Sequence, residues 1–207
     1  MQPAAQYLEV VQKFCGKGVI PGPGSANHPV PPMVDPARQA EFTQLCDANR
    51  RILAKVAFAY CRNLADRQDL LQEIAVQAWR SFDRFDGRAK FSTWLYRVAL
   101  NVAISFRRRE RTRSQHVVPG EEVVAGAVGS GSAAAETAEQ LEPLRRCIDA
   151  LAGVSKALLL LHLDGHDHSE IGAILGLSVG NVGTRMHRVK QQLREQLQSG
   201  EDRREEA

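Results

Sequence analysis

The sequence predicts an all-α fold, with two small helical domains joined by a flexible linker. Apolar residues recur three and four positions apart over about 37–113 and 137–198, which is the period of a helix that buries one face. No stretch alternates apolar and polar residues as a half-exposed strand does. Between the two blocks, ten of the eleven residues over 125–135 are Gly, Ala or Ser, a composition typical of a flexible linker.

The composition of the chain argues against several classes of protein. The 207 residues suffice for one or two domains, and 43% hydrophobic with 25% charged residues is typical of a globular protein. No run approaches the roughly 18 apolar residues of a membrane span, and the N-terminus lacks the basic start and apolar core of a signal peptide. We therefore expect a cytoplasmic protein. The four cysteines form no CxxC pair, which argues against a zinc ribbon or a disulfide framework.

Prolines and charges divide the chain into five segments. Six of the nine prolines fall between Pro21 and Pro36, so residues 1–36 are predicted to be a disordered or extended N-terminal extension, unless translation begins at Met33. The predicted helical domains occupy 37–113 and 137–198, the linker 114–136 and a charged tail 199–207. The stretch between 114 and 143 contains five Glu and no Lys or Arg, so the linker is acidic.

The first block is predicted to contain three helices. One apolar pattern runs through 38–63, and Asp66 is the predicted N-cap of a second helix. The exposed positions of that second helix are polar and partly acidic: Asp69, Gln72, Glu73, Gln77 and Arg80. This face suits docking to another protein, and a plain solvated face explains it equally well.

The third helix of the block, 90–110, has two contrasting faces. We expect the apolar one, Phe91, Leu95, Val98, Val102 and Phe106, to pack inward. The other face consists of Lys90, Trp94, Arg97, Asn101, Ser105 and Arg108, and the helix ends in RRRERTR, with five Arg and one Glu. Cations interleaved with an aromatic suit a nucleic acid with unstacked bases, and the preceding turn, Phe85–Lys90, is suited to hold such a base. Core packing of Trp94 and a solvated Arg run are the alternatives.

The second block has the outline of a helix-turn-helix. Leu144, Ile148 and Leu151 mark one helix, and a second over 155–164 ends at Gly165. Asp167, with Glu170 three residues later, has the spacing of a capping box for a short helix. That helix breaks at Gly176, and Ser178 caps the last one, whose apolar positions are Val182, Met186, Val189 and Leu193. Ile171, Leu177 and Val182 are expected to hold the pair together, with Gly172 allowing a close approach.

The last helix has a polar and basic face suited to a DNA major groove. Asn181, Thr184, Arg185 and Arg188 share this face, and 181–194 contains four basic residues and no acidic one. Arg and amide side chains read base edges, while cations contact phosphates. An ordinary amphipathic helix with a solvated basic face is the alternative.

Three histidines and two aspartates lie within His162–His168, which raises the possibility of a metal site and a metal-dependent hydrolase. His162 and His166 have the spacing of a zinc pair on a helix, but Gly165 breaks the helix between them. Capping explains Asp167 without a metal. Paired carboxylates, a Gly-rich phosphate loop and a nucleophile elbow are all missing, so we expect neither an enzyme nor a cofactor nor a metal.

Together the two blocks resemble a bacterial sigma factor of the sigma-70 superfamily, in the extracytoplasmic-function (ECF) group. Residues 69–109 are similar to sigma region two, and 157–195 are similar to region four. The resemblance implies binding to core RNA polymerase through its β′ clamp helices and β flap, recognition of promoter DNA, and control by an anti-sigma factor. It implies core-polymerase contacts by Asp69, Gln72, Glu73, Gln77 and Arg80. It implies binding and melting of the minus-ten element by Arg88, Lys90, Trp94, Arg97, Asn101, Arg107 and Arg108, and reading of the minus-thirty-five element by Ser178, Asn181, Thr184, Arg185, Arg188 and Lys190.

Three features depart from this family pattern. Gly172 stands where the family usually has Ala, and Gly183 occupies a position in the recognition helix where a longer polar residue is common. Residues 1–36 have no counterpart. A stand-alone helix-turn-helix regulator remains an alternative function, although the chain has no dimerisation heptads or ligand domain, and the first block would then be unexplained.

Overall fold

The computed structural model describes residues 36–116 and 142–205, and within these ranges it is helical with turns and contains no strand. The predicted all-α class is therefore confirmed. The chain divides into two compact units, with the boundary between Phe106 and Arg107. The predicted N-terminal extension, except for Pro36, and most of the predicted linker lie outside the described residues.

The first unit is built from α1 (Pro36–Ala48), α2 (Arg50–Tyr60), α3 (Leu64–Phe82) and α4 (Phe91–His116), the last of which continues past the boundary. The prediction of one helix over 38–63 is wrong, because the chain breaks at Asn49. The Asn49 side chain donates to the Leu45 carbonyl at 2.8 Å, and its backbone N–H donates to the Cys46 carbonyl at 3.0 Å. An Asn side chain competes in this way with the hydrogen bonds of the helix backbone. The spacing of apolar residues contains no information about this competition.

The cap of α3 is Asn63, and the prediction of Asp66 is wrong. The Asn63 side chain accepts a hydrogen bond from the Asp66 N–H at 2.7 Å, so Asp66 is the third residue of the helix. Both residue types cap helices well. The apolar stripe begins only at Leu70, so it did not reveal the first helical turn.

The core of the first unit combines residues from all four helices. Phe42, Cys46, Val56 and Leu70 are among the residues that are buried as predicted. On α4 the buried face is wider than predicted and includes Leu95, Tyr96, Ala99, Leu100 and Ala103, whereas Val98 and Phe106 are only half-buried. The buried face of α4 is wider than the stripe of large apolar residues because it also includes Tyr96 and small Ala residues.

The second unit contains α5, whose described residues are 142–150, followed by α6 (Gly153–Leu163), α7 (His168–Leu175) and α8 (Val179–Glu205). Leu151, Leu159 and Val189 form a buried cluster. Helix α6 ends at Leu163 with Asp164 as its C-cap, and the predicted helix-breaking Gly165 follows with a φ of +88°. The N–H groups of Gly165 and His166 donate back to the carbonyls of His162 and Leu161, both at 3.1 Å, and so satisfy the end of the helix.

The turn between α7 and α8 requires a glycine at two positions. Gly176 has a φ of +69°, which glycine adopts without strain. Gly172 lies so close to the turn that a Cβ atom there would be 2.6 Å from the Leu177 carbonyl oxygen. The predicted close approach of the two helices at Gly172 is confirmed.

Among residues 36–116 and 142–205, no helix combines the length and the apolar character that crossing a membrane requires.

Candidate nucleic-acid interfaces

An aromatic cluster lies at the C-terminal end of α3. Its centre is Phe82, which is 1% exposed. Five other rings surround it at centroid distances of 5.0 to 6.4 Å: Phe42, Trp79, Phe85, Phe91 and Trp94. Edge-to-face and offset contacts of this kind add stability beyond the burial of area. The cluster therefore gives the loop after α3 a rigid support.

A pocket of about 320 Å³ opens beside this cluster. Its lining consists of Arg84, Phe85, Asp86, Arg88, Ala89, Thr93, Trp94 and Arg97. Gly87 turns the loop with a φ of +72°, and the Arg88 N–H donates to Asp86 Oδ1 at 3.1 Å. The lining includes the rings of Phe85 and Trp94, whose centroids are 5.4 Å apart, and three exposed Arg side chains. The pocket thus combines aromatic surface with positive charge.

The pocket brings together some of the residues predicted to contact the minus-ten element. Arg88, Trp94 and Arg97 line it. Trp94 is half-buried in the cluster and also lines the pocket, so the same side chain packs on Phe82 and remains accessible from the pocket.

Four other predicted residues of this group lie outside the pocket lining: Lys90, Asn101, Arg107 and Arg108. Lys90 is exposed just before α4, and Asn101 is exposed one turn beyond Arg97. Arg107 and Arg108 lie about 10 Å beyond Asn101 along α4, at 1.5 Å per residue. The lining residues Arg84 and Thr93 were not predicted, although Arg84 directly precedes the predicted turn Phe85–Lys90.

The polar face of α3 lies opposite its buried face. Asp69, Gln77 and Arg80 are exposed, whereas Gln72 and Glu73 are half-buried. The buried face consists of Leu70, Ile74, Ala75, Ala78 and Phe82. All five predicted residues therefore lie on one helix, and three of them are fully available for contact.

A second pocket, of about 330 Å³, lies along α8. Asn181, Thr184, Arg185 and Arg188 line it as one group, together with Ser155, Val189 and Gln192. The sequence predicted the first four to share a face. Gln192 extends this face by one turn, which helical spacing alone could have revealed. Ser155 comes from α6, and only the tertiary structure brings it near.

Two predicted residues of α8 have roles in the backbone structure. Ser178 caps the helix as predicted, its Oγ accepting from the Asn181 N–H at 3.3 Å. The Thr184 hydroxyl donates to the Gly180 carbonyl at 3.0 Å, so its methyl group and oxygen lone pairs are left for a ligand. Lys190 is exposed but does not line the pocket.

The histidine-rich turn is a helix cap. Asp167 Oδ1 accepts from the N–H groups of Ser169 and Glu170, both at 2.8 Å, and Glu170 Oε2 accepts from the Asp167 N–H at 3.2 Å. The predicted capping box is confirmed. His166 Nδ1 also lies 3.2 Å from Glu170 Oε2. Within the described ranges, no group of three His, Cys, Asp or Glu side chains is arranged to hold a metal ion.

Each unit also buries a titratable group. Burial, with a smaller contribution from Asp47, raises the pKa of the Cys46 thiol to about 12. Lys156 is 3% exposed, and burial lowers its pKa, while the ion pair with Asp149 at 2.6 Å opposes that shift. Cys61 belongs to the pattern predicted as one helix over 38–63, but it is the buried C-cap residue that follows α2.

Comparison with known proteins identifies the family. Residues 45–113 match the family described as Sigma-70 region 2, and residues 135–193 match Sigma-70, region 4. The chain belongs to the sigma-70 family. The ECF RNA polymerase sigma factor SigW of Bacillus subtilis is 29% identical over 172 residues, which cover 77% of this chain and 90% of SigW. The ECF RNA polymerase sigma-E factor of Escherichia coli is 31% identical over 142 residues, 64% of this chain and 74% of that factor.

Two solved structures have the same fold as this sigma factor. One is the sigma factor RpoE in complex with the anti-sigma factor NepR from Bartonella quintana, with a TM-score of 0.56 and 21% identity over 76% of this chain and 97% of that one. The other is CnrH in complex with the cytosolic domain of CnrY, with a TM-score of 0.56 and 22% identity over 94% and 98%.

The chain functions as an RNA polymerase sigma factor of the ECF group in transcription initiation. Both blocks match sigma regions, so the stand-alone regulator, which left the first block unexplained, is not supported. Sigma factors as a class bind RNA polymerase and act without catalysing a reaction of their own.

Proposed function

We propose that the two pockets contact two separate promoter elements while the polar face of α3 docks on core polymerase. In this proposal residues 37–113 bind polymerase and melt the minus-ten element, and 137–198 read the minus-thirty-five element. Residues 114–136 serve as an acidic linker between them, 1–36 as an extension and 199–207 as a charged tail. The observation that supports this division best is the presence of one basic pocket in each unit.

The pocket of the first unit suits a single unstacked base. Unpairing and flipping a base costs a few kcal/mol, and stacking on an aromatic ring returns about 1–3 kcal/mol. Phe85 and Trp94 offer the ring surfaces, and Arg88 and Arg97 offer charge for the adjoining phosphates. Outside the pocket lining lie Lys90, just before α4, and Asn101, Arg107 and Arg108 along it, and we propose that these four contact the backbone of the melted strand.

The face of α8 suits the major groove. Arg185 and Arg188 can each donate two hydrogen bonds to a guanine edge, and Asn181 can pair with an adenine edge. Thr184 offers its methyl group to a thymine methyl, since its hydroxyl hydrogen is bound within the helix. Ser178 and Lys190 are exposed at positions suited to phosphate contact.

We further propose contacts with the polymerase and with an inhibitor. Asp69, Gln72, Glu73, Gln77 and Arg80 would dock on the β′ clamp helices, and the second unit on the β flap. An anti-sigma factor is the expected inhibitor, because one structural neighbour is bound to the anti-sigma factor NepR. We propose a cytoplasmic location, since core polymerase and promoter DNA are found there. The proposed activity requires neither catalysis by this chain nor a cofactor.

The test is run-off transcription with purified bacterial core polymerase on a library of random promoters, with and without this protein. We expect specific start sites that depend on the protein. The Arg185→Ala, Arg188→Ala double variant should lower transcription by about thirtyfold or more, since each bidentate pair contributes about 1–3 kcal/mol of discrimination.

Arg194→Ala is the matched control, because it removes one exposed cation from the same helix outside the pocket lining. We expect it to leave the choice of start sites unchanged. Absence of specific starts, together with absence of binding to core polymerase, would refute the proposal.

A further inference from the structure

Arg38, in the first turn of α1, contacts the residue on which the aromatic cluster is centred. Its guanidinium carbon lies 4.1 Å from the centroid of the Phe82 ring. The same guanidinium donates from Nη2 to the Phe82 carbonyl oxygen at 3.0 Å. One side chain therefore contacts both the ring and the backbone of Phe82, although the two residues are 44 positions apart.

The geometry of Arg38 is held by two acidic neighbours. Nη1 pairs with Glu41 at 2.9 Å, and Nε lies 3.9 Å from Asp83 Oδ1. The planar fork of arginine can make these contacts together, and a lysine ammonium has no equivalent geometry. A cation at the last carbonyls of a helix also interacts favourably with the helix dipole.

The contact with the Phe82 carbonyl leads directly to the pocket. This carbonyl also accepts the N–H of Phe85 at 2.9 Å, and Phe85 lines the pocket beside Trp94. Arg38 thus fixes the acceptor that orients the first turn of the loop, and it packs against the ring beneath Phe85 and Trp94. Arg38 itself does not line the pocket.

We propose that Arg38 is a positioning residue that sets the shape of the base pocket from behind, through Phe82, and so controls opening of the minus-ten element. This inference rests on the proposed function of the pocket. It predicts that Arg38 affects promoter opening without taking part in binding to core polymerase or to the minus-thirty-five element.

The test uses the full chain with Arg38→Ala and Arg38→Lys, and Arg51→Ala as the control that removes an exposed cation from α2. Two readouts are measured. The first is intrinsic fluorescence, since the chain's two tryptophans, Trp79 and Trp94, both lie against Phe82. The second is permanganate reactivity of unpaired thymines in a promoter selected by the wild-type protein, with core polymerase present.

We expect Arg38→Ala to change the tryptophan emission and to slow promoter opening by about tenfold, as loss of one charge-assisted hydrogen bond would. The helical content measured by circular dichroism should be unchanged, because Phe42 and Cys46 hold α1 in the core. The affinity for core polymerase should stay within about twofold of wild type. Arg38→Lys should be intermediate, since it keeps the charge and loses the fork.

Emission and opening equal to those of the Arg51→Ala control would overturn the inference. The inference would also be overturned if promoter opening fell only in proportion to the amount of folded protein or to polymerase binding, because Arg38 would then have a general structural role. If the wild-type protein opens no promoter, the proposed function itself is wrong, and the inference about opening is wrong with it. Normal opening by wild type and by Arg38→Ala would refute this inference alone.

Discussion

The two pockets differ in how much of the fold is needed to form them. The pocket of the first unit combines a loop and the start of α4 and rests on rings from α1, α3 and α4. In the pocket of the second unit, Ser155 is the one lining residue that does not belong to α8. The first pocket therefore depends on packing beneath it, and the second depends on the turn that sets α8 in place. Substitutions should damage the two by different physical routes.

The largest effect is expected from the centre of the aromatic cluster. Phe82→Ala removes a 1% exposed ring, and a buried Phe→Ala change costs about 3–5 kcal/mol of unfolding free energy. Urea unfolding followed by tryptophan fluorescence measures this loss. Phe58→Ala is the control, because Phe58 is 55% exposed and its ring contacts the Arg67 guanidinium at 4.5 Å, so its truncation should cost about 1 kcal/mol or less. Equal losses in the two variants would contradict a pocket supported by packing.

The turn of the second unit should be sensitive to a single methyl group. Gly172→Ala places a Cβ atom 2.6 Å from the Leu177 carbonyl, and the backbone must shift, at a cost of about 1–3 kcal/mol. The melting temperature and the affinity for the minus-thirty-five element should both fall. At Gly183 the nearest atom to a Cβ would be His168 Nδ1 at 3.8 Å, an ordinary contact. Gly183→Ala should therefore stabilise α8 by about 1 kcal/mol, and an equal loss at both glycines would refute this account.

This difference also decides what the sequence could predict. The face of α8 and the capping box of Asp167 and Glu170 depend on residues a few positions apart, so their spacing alone predicted them. Ser155 enters its pocket through tertiary packing, for which helical spacing contains no signal. Arg38 was missed for the same reason, because its contact with Phe82 spans 44 positions.

Helix boundaries were missed for a different physical reason. The break at Asn49 and the cap at Asn63 depend on short polar side chains that hydrogen-bond to the backbone locally. Apolar periodicity reports which face is buried and is insensitive to these bonds. On α4 the periodicity of large apolar residues did not reveal that Ala99 and Ala103 are buried. Small side chains are also buried when neighbouring helices cover a wide face of the helix.

Removing one helix cap from each unit should have a smaller effect on stability than the core and turn substitutions. Asp167→Ala and Asn63→Ala should each cost about 1 kcal/mol, because each leaves orphan N–H groups at a helix start. We expect Asp167→Ala to weaken duplex binding at the minus-thirty-five element and Asn63→Ala to leave it unchanged. Fluorescence-anisotropy titrations of the holoenzyme with promoter duplex measure the two affinities. An identical loss of affinity in both variants would contradict the view that the two pockets depend on different parts of the fold.

The smallest effect at neutral pH is expected from the buried thiol. The pKa of Cys46 is about 12 in the folded protein and about 9.0 when unperturbed. The unfolded chain thus loses its proton first as the pH rises, so the free energy of unfolding should fall between about pH 9 and pH 12. A Cys46→Ala variant should lack this part of the slope. At pH 8 a thiol reagent should modify half-buried Cys147 before Cys46, and the reverse order would contradict the burial of Cys46.

The length of α3 fixes a distance within the first unit. Asp69 and Phe82 are thirteen residues apart on this helix, about 20 Å at 1.5 Å per residue. Helix α3 begins at the Asn63 cap and ends at the carbonyl held by Arg38, so both ends are anchored. In the proposed function, the spacing of Asp69 and Phe82 would keep the far end of the polymerase-binding face at a constant distance from the base pocket. Helix α3 would then set where strand separation starts relative to the enzyme.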